Sequence, residues 1–502
     1  MRNYLATPMA NASGVATENV QPGAFLHKTS GTEYRVTKVD AHIELTYRSK
    51  TLPGGGGEVP LSYFLGSGHL GTTYLYSVDA YLFESPIAWY EPSHGYDMKP
   101  GLTELAQAPP PLPMQSGCLR CHMSSVQPSD AGTINRYSGL PFAHTGITCE
   151  ACHGDSSPHV KSNGKAKLIN PARLSADLRD SICISCHLEG DVLVERAGHT
   201  ALHFKPGESI STYLAFYVRR GANLTARGVS EVEQLGQSMC KRVSGDRMSC
   251  MSCHDPHYTP RADQKVGFYR AKCLACHTEP QFASSHHPEN QDCTSCHMPR
   301  NGAVNIQHVA WTDHRIQRVP NDAQGRPEAA EGGELTPIFS PAATKRDLAM
   351  ANYQALLDGD RSRESTAWAQ LDAQRDNIHD DKEALKALGN LSAERGDNER
   401  AEHVFRRVLE LDADDLTALS NLGTLLAKQG RLDEAVSLLK KAFDRNRDLS
   451  GLAKNLARVQ CTMGDTAGAH ATLSAALYYS PGDESMRRLL AQMNDCAGRG
   501  AR

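Results

Sequence analysis

The chain has 502 residues, enough for two to four domains. Lys and Arg number 53 against 57 Asp and Glu, a net charge of −4, so no basic excess marks it for nucleic acid. No apolar run reaches the length of a transmembrane helix, and residues 1–30 lack the continuous apolar core of an export signal.

Residues 1–24 read as loop. From Phe25 to Ser49 the pattern alternates through Tyr34, Val36, Val39, Ile43, Leu45 and Tyr47, which predicts two or three strands. Pro53 to Gly57 is a turn, and 61–65, 72–78 and 81–87 continue the β pattern. Residues 1–100 are therefore expected to form a small, mainly-β module ending at Trp89-Tyr90, with Trp89 in core packing. Pro109, Pro110, Pro111 and Pro113 make residues 101–117 a stiff, extended connector.

Between Cys118 and His297 one pattern recurs six times: Cys118-x-x-Cys121-His122, Cys149-x-x-Cys152-His153, Cys183-x-x-Cys186-His187, Cys250-x-x-Cys253-His254, Cys273-x-x-Cys276-His277 and Cys293-x-x-Cys296-His297. C-x-x-C-H is the attachment signature of c-type haem: two thiols bond the vinyl groups and the next His ligates iron. Half a zinc site or a redox dithiol would need the paired Cys but not the following His. With 22 His in 502 residues, six consecutive coincidences are not chance. Six covalent haem c groups follow as the expected cofactors, with His122, His153, His187, His254, His277 and His297 as proximal ligands. Successive motif His are separated by 31, 34, 67, 23 and 20 residues, room for one short helix and a loop each. Such segments bury little protein against protein, so 101–318 is expected to be cored by its cofactors. In the longest gap, Ile210–Arg219 and Gln234–Val243 are read as helical. Of the three Cys outside the motifs, Cys461 is read as a small core residue, Cys496 as a free thiol, and Cys240 as buried or transiently paired.

Residues 319–345, rich in Pro and Gly, are read as an interdomain linker. Beyond it a 34-residue period appears. Ala367, Ala401, Ala435 and Ala469 share one phase; Leu371, Phe405, Leu439 and Leu473 share another; Gly389, Gly423 and Ala457 hold a third. That is the tetratricopeptide signature, predicting four repeats over 346–502, the first degenerate, and then a solvating helix over 483–495. The fold class expected is multidomain: mainly-β module, haem-cored segment of short helices and loops, all-α solenoid.

The words Gly146-Ile147-Thr148-Cys149-Glu150-Ala151-Cys152-His153-Gly154 and Ser249-Cys250-Met251-Ser252-Cys253-His254-Asp255-Pro256-His257 are distinctive. With Cys293 to Pro299 followed by Thr312-Asp313-His314, they make the chain resemble the bacterial multihaem c-type cytochromes that carry C-terminal tetratricopeptide repeats. The last word is also similar to the end of the pentahaem nitrite reductases. The resemblance implies an export signal and a further C-x-x-C-H ahead of a Tyr-x-x-Thr-x-Met word, which stands here as Tyr4-Leu5-Ala6-Thr7-Pro8-Met9. A signal and a seventh haem upstream of Met1 are accordingly expected, with a periplasmic or extracellular location.

A low-spin electron carrier needs a sixth iron ligand, usually a second neutral His. Thirteen further His lie at or before residue 314 and only three after it. His159 and His314 resemble the family's distal ligands; His286, His287, His308 and His27 are further candidates, and the sequence does not choose between His286 and His287. His257 reads as a ligand or as a propionate partner; His69 and His144 complete the set. The leading expectation is an electron carrier that docks redox partner proteins through its repeats. An enzyme reducing nitrite or turning over another small nitrogen or sulfur compound would need an open haem. The pentahaem nitrite reductases mark theirs with Lys in place of the motif His, whereas every motif here ends in His. A redox-sensing interaction scaffold is the third reading.

Overall fold

The computed structural model describes the chain except for residues 1, 41, 51–54, 222–228, 280, 287, 303–309, 319–332, 340–342, 494–495 and 497–502. The β pattern of the first hundred residues folds as an antiparallel meander: β2 (Gly23–His27), β3 (Thr32–Val39), β4 (His42–Ser49), β5 (Gly56–Leu65), β6 (Gly71–Val78), β7 (Tyr81–Tyr90) and β8 (Gly95–Met98) pair in that order. β1 (Ser13–Val15) adds to β5. Alternation places Tyr34, Val36, Ile43, Leu45, Phe83 and Ile87 in one buried core. Trp89 packs edge-on against Tyr96, with ring centres 5.3 Å apart.

Residues before β1 are not free loop. Tyr4 donates to the Ile147 carbonyl, the Ile147 N–H donates to the Met9 carbonyl at 3.0 Å, and Ser13 Oγ donates to the His122 carbonyl at 2.8 Å. The proline connector is docked: β9 (Leu112–Pro113) pairs with Phe83 and Glu84 of β7.

The motif segment is built from short helices and hairpins, including β10 (Met123–Val126) with β11 (Phe142–Thr145). Of Ile210–Arg219 only Ile210–Thr212 is helical, as a single 3-10 turn. Leu214–Arg219 forms strand β13 between β12 (Val192–Glu195) and β16 (Leu335–Pro337). Its first four residues are all buried, and a short continuous apolar run carries no period to separate strand from helix. The Gln234–Val243 reading is closer: helices Glu231–Gln237 and Met239–Ser244 meet at Ser238. β14 (Arg300–Gly302) and β15 (Ala310–Thr312) close the segment as a hairpin.

The reading of 319–345 as a linker is corrected where the structure describes it, since β16 is part of the β12–β13 sheet. From there the array runs in pairs: Lys345–Leu357 with Glu364–Asp372, Lys382–Glu394 with Asn398–Leu411, Leu416–Lys428 with Leu432–Arg445, and Ser450–Thr462 with Thr466–Tyr479, followed by Glu484–Gln492. The small-residue column lets paired helices touch. A Cβ on Gly389 would lie 2.7 Å from the Phe405 ring, and one on Gly423 would lie 2.8 Å from Leu439. Both ends of the array grip the rest of the molecule. At the start Arg196 pairs with Asp347 at 3.2 Å, and Arg346 donates to the Glu195 carbonyl at 2.6 Å. Near the far end Tyr81 donates to the Arg445 carbonyl at 2.6 Å, Asn446 to the Gly132 carbonyl at 2.8 Å, and Tyr479 to Asp79 at 3.0 Å. Cys461 packs against the array core as read, but Cys496 is not a free thiol: it is buried in that core and forms a disulfide with Cys461. No helix among the described residues is long and apolar enough to cross a membrane.

Candidate haem centres

The motif sequences position their own ligands. Cys250–Cys253 and Cys293–His297 are single helical turns, started by a Ser249–Ser252 capping box and by Asp292 accepting from Thr294 and Ser295. One turn puts both thiols and the following imidazole on one side. All six motif His line a single cavity of about 3390 Å³, together with Cys121, Cys152, Cys186, Cys253 and Cys276. Ordinary small-molecule sites hold roughly 300–1,000 Å³, so the cavity has room for several large groups rather than one. Its walls are mostly apolar, as haem faces require. Among the described residues no three His, Cys, Asp or Glu converge as a zinc site would need.

Three motif imidazoles face a second imidazole across this space. Ring centres are 5.8 Å apart for His153 and His257, with planes 8° apart. They are 6.2 Å and 30° for His254 and His314, and 5.9 Å and 19° for His286 and His297. Two imidazoles bound on opposite sides of one metal at about 2.0–2.1 Å per bond place their centres roughly 6 Å apart. The residues therefore fit iron held between paired His.

The second ring nitrogens fit as well. His153 Nδ1 donates to the Ile169 carbonyl at 2.8 Å, His297 Nδ1 to Gln317 at 2.6 Å and His314 Nδ1 to Thr312 at 2.8 Å. A proton held on Nδ1 leaves the Nε2 lone pair for a metal. Burial, then the nearby His314, pushes His254 down to about 4, and burial also lowers His122, which keeps both imidazoles neutral. Burial pushes the thiols of Cys152 and Cys273 up to about 11, away from the depressed values of nucleophilic thiolates. Cys186 departs from this, lowered to about 5 by the hydrogen bond from Cys121. That contact also shows which motifs adjoin. Sulfur meets sulfur at Cys121 with Cys186, Cys183 with Cys250, and Cys273 with Cys293.

The other sequence candidates are placed elsewhere. His27 is buried in the β module with both ring nitrogens engaged, to Ser30 Oγ and the Thr103 carbonyl at 2.8 Å each, so neither is left for iron. His69 and His144 are exposed and do not line the cavity. His159 has its Nδ1 on the Ala166 carbonyl at 2.7 Å, the arrangement of a ligand, but also lies outside the cavity wall. His287 and His308 are outside the described residues. Two contributors were not anticipated. The Tyr4 ring stands edge-on to His257 at 6.2 Å, and Phe282 stacks between His277 and His286 at 4.8 Å from each. The Tyr4 word was visible in the sequence; nothing there singled out Phe282.

Residues 101–154 match the cytochrome c554 and c-prime family, 243–282 the doubled CXXCH motif, and 392–450 and 426–493 the tetratricopeptide repeat. Multiheme cytochrome MtrA of Shewanella baltica (strain OS185) is 28% identical over 179 residues, 32% of this chain and 52% of that protein. The chain thus spans about half the length of this curated relative. Solved structures of MamA overlie about a third of the chain. The one from Desulfovibrio magneticus RS-1 is 21% identical with a TM-score of 0.28, covering 32% of this chain and 88% of that one. Another is 16% identical with a TM-score of 0.28, covering 31% and 84%. Separate stretches of the chain are therefore similar to multihaem c-type cytochromes and, towards the C-terminus, to tetratricopeptide arrays, and the matched families imply covalently bound haem c.

Proposed function

We propose that the chain carries electrons through six haem c groups, one per motif, and that its repeats dock a redox partner. The observation behind this reading is the convergence of all six motif His on one cavity. Haem iron, when bound, supplies a one-electron couple. The chain's part is to hold His153 opposite His257, His254 opposite His314, and His297 opposite His286, with backbone carbonyls fixing the imidazole protons. At these three centres a haem iron held between two His would suit electron passage and would leave no position for substrate. The first motif adjoins the third, the third the fourth and the fifth the sixth through sulfur contacts, and Cys253 of the fourth motif is near Cys276 of the fifth, which supports a route through these five motifs. Export to a periplasmic or extracellular compartment suits both haem attachment and the Cys461–Cys496 disulfide. The test is a haemochrome count joined to EPR of the oxidised protein. Six haems with low-spin signals only are expected. A high-spin ferric signal in the unmodified protein would instead favour an open haem and a catalytic role.

A further inference from the structure

The stretch between Asp155 and Asp177 carries Lys161, Lys165, Lys167 and Arg173 and no acid, four positive charges in a chain of net charge −4. All four side chains are exposed. Among the described residues no carboxylate comes within 4 Å of any of them. Cations of the repeats are handled otherwise: Lys386, Arg406, Arg407 and Arg431 each pair with an acid. The basic stretch is held in shape by its own bonds. The His159 carbonyl accepts from the Gly164 N–H at 2.8 Å, Ser162 Oγ accepts from the Ala166 N–H at 2.8 Å, and His159 Nδ1 donates to the Ala166 carbonyl at 2.7 Å. Val160, beside Lys161, is 67% exposed, and Pro158 is exposed too.

The loop ends on a candidate haem centre. Ile169, two residues beyond Lys167, receives the Nδ1 proton of His153 at 2.8 Å and, with Asn170 and Pro171, lines the cavity. Two residues span at most about 7 Å, so Lys167 stands close beside the second motif. Cys152 of that motif lies near Cys183 and Cys186 of the third, which adjoins the first and the fourth. An electron arriving under the loop therefore has a way inward. Positive charge around an exposed apolar residue is the make-up of a protein contact, with a polar rim about an apolar centre. A membrane-binding segment would need a longer helix with an apolar face, and Ser157–Lys161 is a single turn.

We propose that this loop is a port at which an acidic redox protein docks, its carboxylates meeting Lys161, Lys165, Lys167 and Arg173 and its apolar centre covering Val160. The proposal rests on the electron-carrier reading; a carrier needs a way in and a way out, so the port is additional to docking at the repeats. One electron passes from the partner to the haem of the second motif, with no bond made or broken. The probe is a plant-type [2Fe–2S] ferredoxin, a small, acidic, low-potential donor. Its oxidised form is titrated into the holoprotein by calorimetry at about 20 and 200 mM salt, and transfer from its reduced form is followed by stopped flow. The joint reversal Lys161→Glu, Lys165→Glu and Lys167→Glu should weaken binding about tenfold or more at the lower salt, slow transfer similarly and flatten the salt dependence. The same charge change at exposed positions of the β module, Lys38→Glu, Arg48→Glu and Lys50→Glu, should leave both within about twofold. Should the reversed loop not fold, Lys161→Gln, Lys165→Gln and Lys167→Gln together are expected to cost about threefold. Equal losses from the two reversals, no binding of the probe at the lower salt, or affinity unchanged by the loop reversal would overturn the port. Sedimentation of the holoprotein with phosphatidylserine vesicles, lost in the loop variant while ferredoxin affinity holds, would overturn it too and assign the charge to a membrane surface. Unmodified protein that binds the probe yet takes no electrons from it or from a small uncharged reductant would instead overturn the carrier reading and leave the docking surface standing.

Discussion

The Cys461–Cys496 bond is the feature whose removal has the most calculable effect. It ties the first helix of the last repeat to the segment beyond the solvating helix, across 35 residues. Closing a loop of that length in the unfolded chain lowers its entropy enough to stabilise the fold by about 3.8 kcal/mol at 25 °C. Replacing both Cys by Ala should lower the array's stability by that amount as an upper estimate. For a unit of some 150 residues this corresponds to a fall of roughly 8–15 °C in melting midpoint. The assay is far-UV circular dichroism of the holoprotein under heat or guanidinium, because helical signal is dominated by the array. Dithiothreitol on the unmodified protein is an independent route, since thioethers to haem resist thiols. Stability in a repeat array is propagated between neighbours, so the loss should begin at Thr466–Tyr479 and Glu484–Gln492. A midpoint within a degree of the unmodified protein, with the bond verified by mass, would refute the loop-closure reasoning.

Four further outcomes are expected. Asp448→Asn should raise stability at neutral pH by up to about 3 kcal/mol, taken from a folded value that burial pushes up to about 6 against an ordinary 3.8. The folded state prefers the protonated acid, so Asp448's contribution is intact below its unfolded value and is lost as pH rises through about 6; the variant's advantage should therefore vanish near pH 4, read by chemical denaturation at both pH values. His257→Ala should convert one haem to high spin in EPR while the haemochrome count stays unchanged. Gly389→Leu, forced against the Phe405 ring, should cost about 1–3 kcal/mol or more in the array and leave haem spectra intact. Protein produced without haem attachment should show fast amide exchange over 243–300 while the array stays protected.

The legible parts of this chain were those where one chemistry dictates one spacing. A thioether-bound haem requires C-x-x-C-H, and two helices in contact require a small residue every 34 positions, so Gly389 and Gly423 could be read before Phe405 and Leu439 were seen to touch them. What stayed hidden depended on partners distant in sequence. Leu214–Arg219 became a strand because Val192–Glu195 and Leu335–Pro337 flank it, and no local pattern announces that. His27 looked like a ligand by composition and proved to be held by Ser30 and Thr103. Cys461 and Cys496 each read singly as unremarkable thiols. Only the packing of the closing helix against the last repeat brings them together.

The same contrast explains why the motif segment can hold its shape with so little protein core. Between Arg220 and Arg300 the buried residues among those described are polar: Ser230, Glu233, Gln234, Ser238 and Ser249. Ala262–Leu274, thirteen residues long, buries none of its side chains, yet Val266, Phe268 and Tyr269 line the cavity. Met239 and Val243 line it too and are 60% and 70% exposed by the polypeptide alone. An apolar face turned inward on such a scale is stable in water only when something apolar covers it. Haem of the kind the matched families imply is apolar on both faces, and its attachment through two sulfurs would supply the covering and the folding of 243–300 together. The β module and the array each have a buried protein core of their own, which 243–300 lacks.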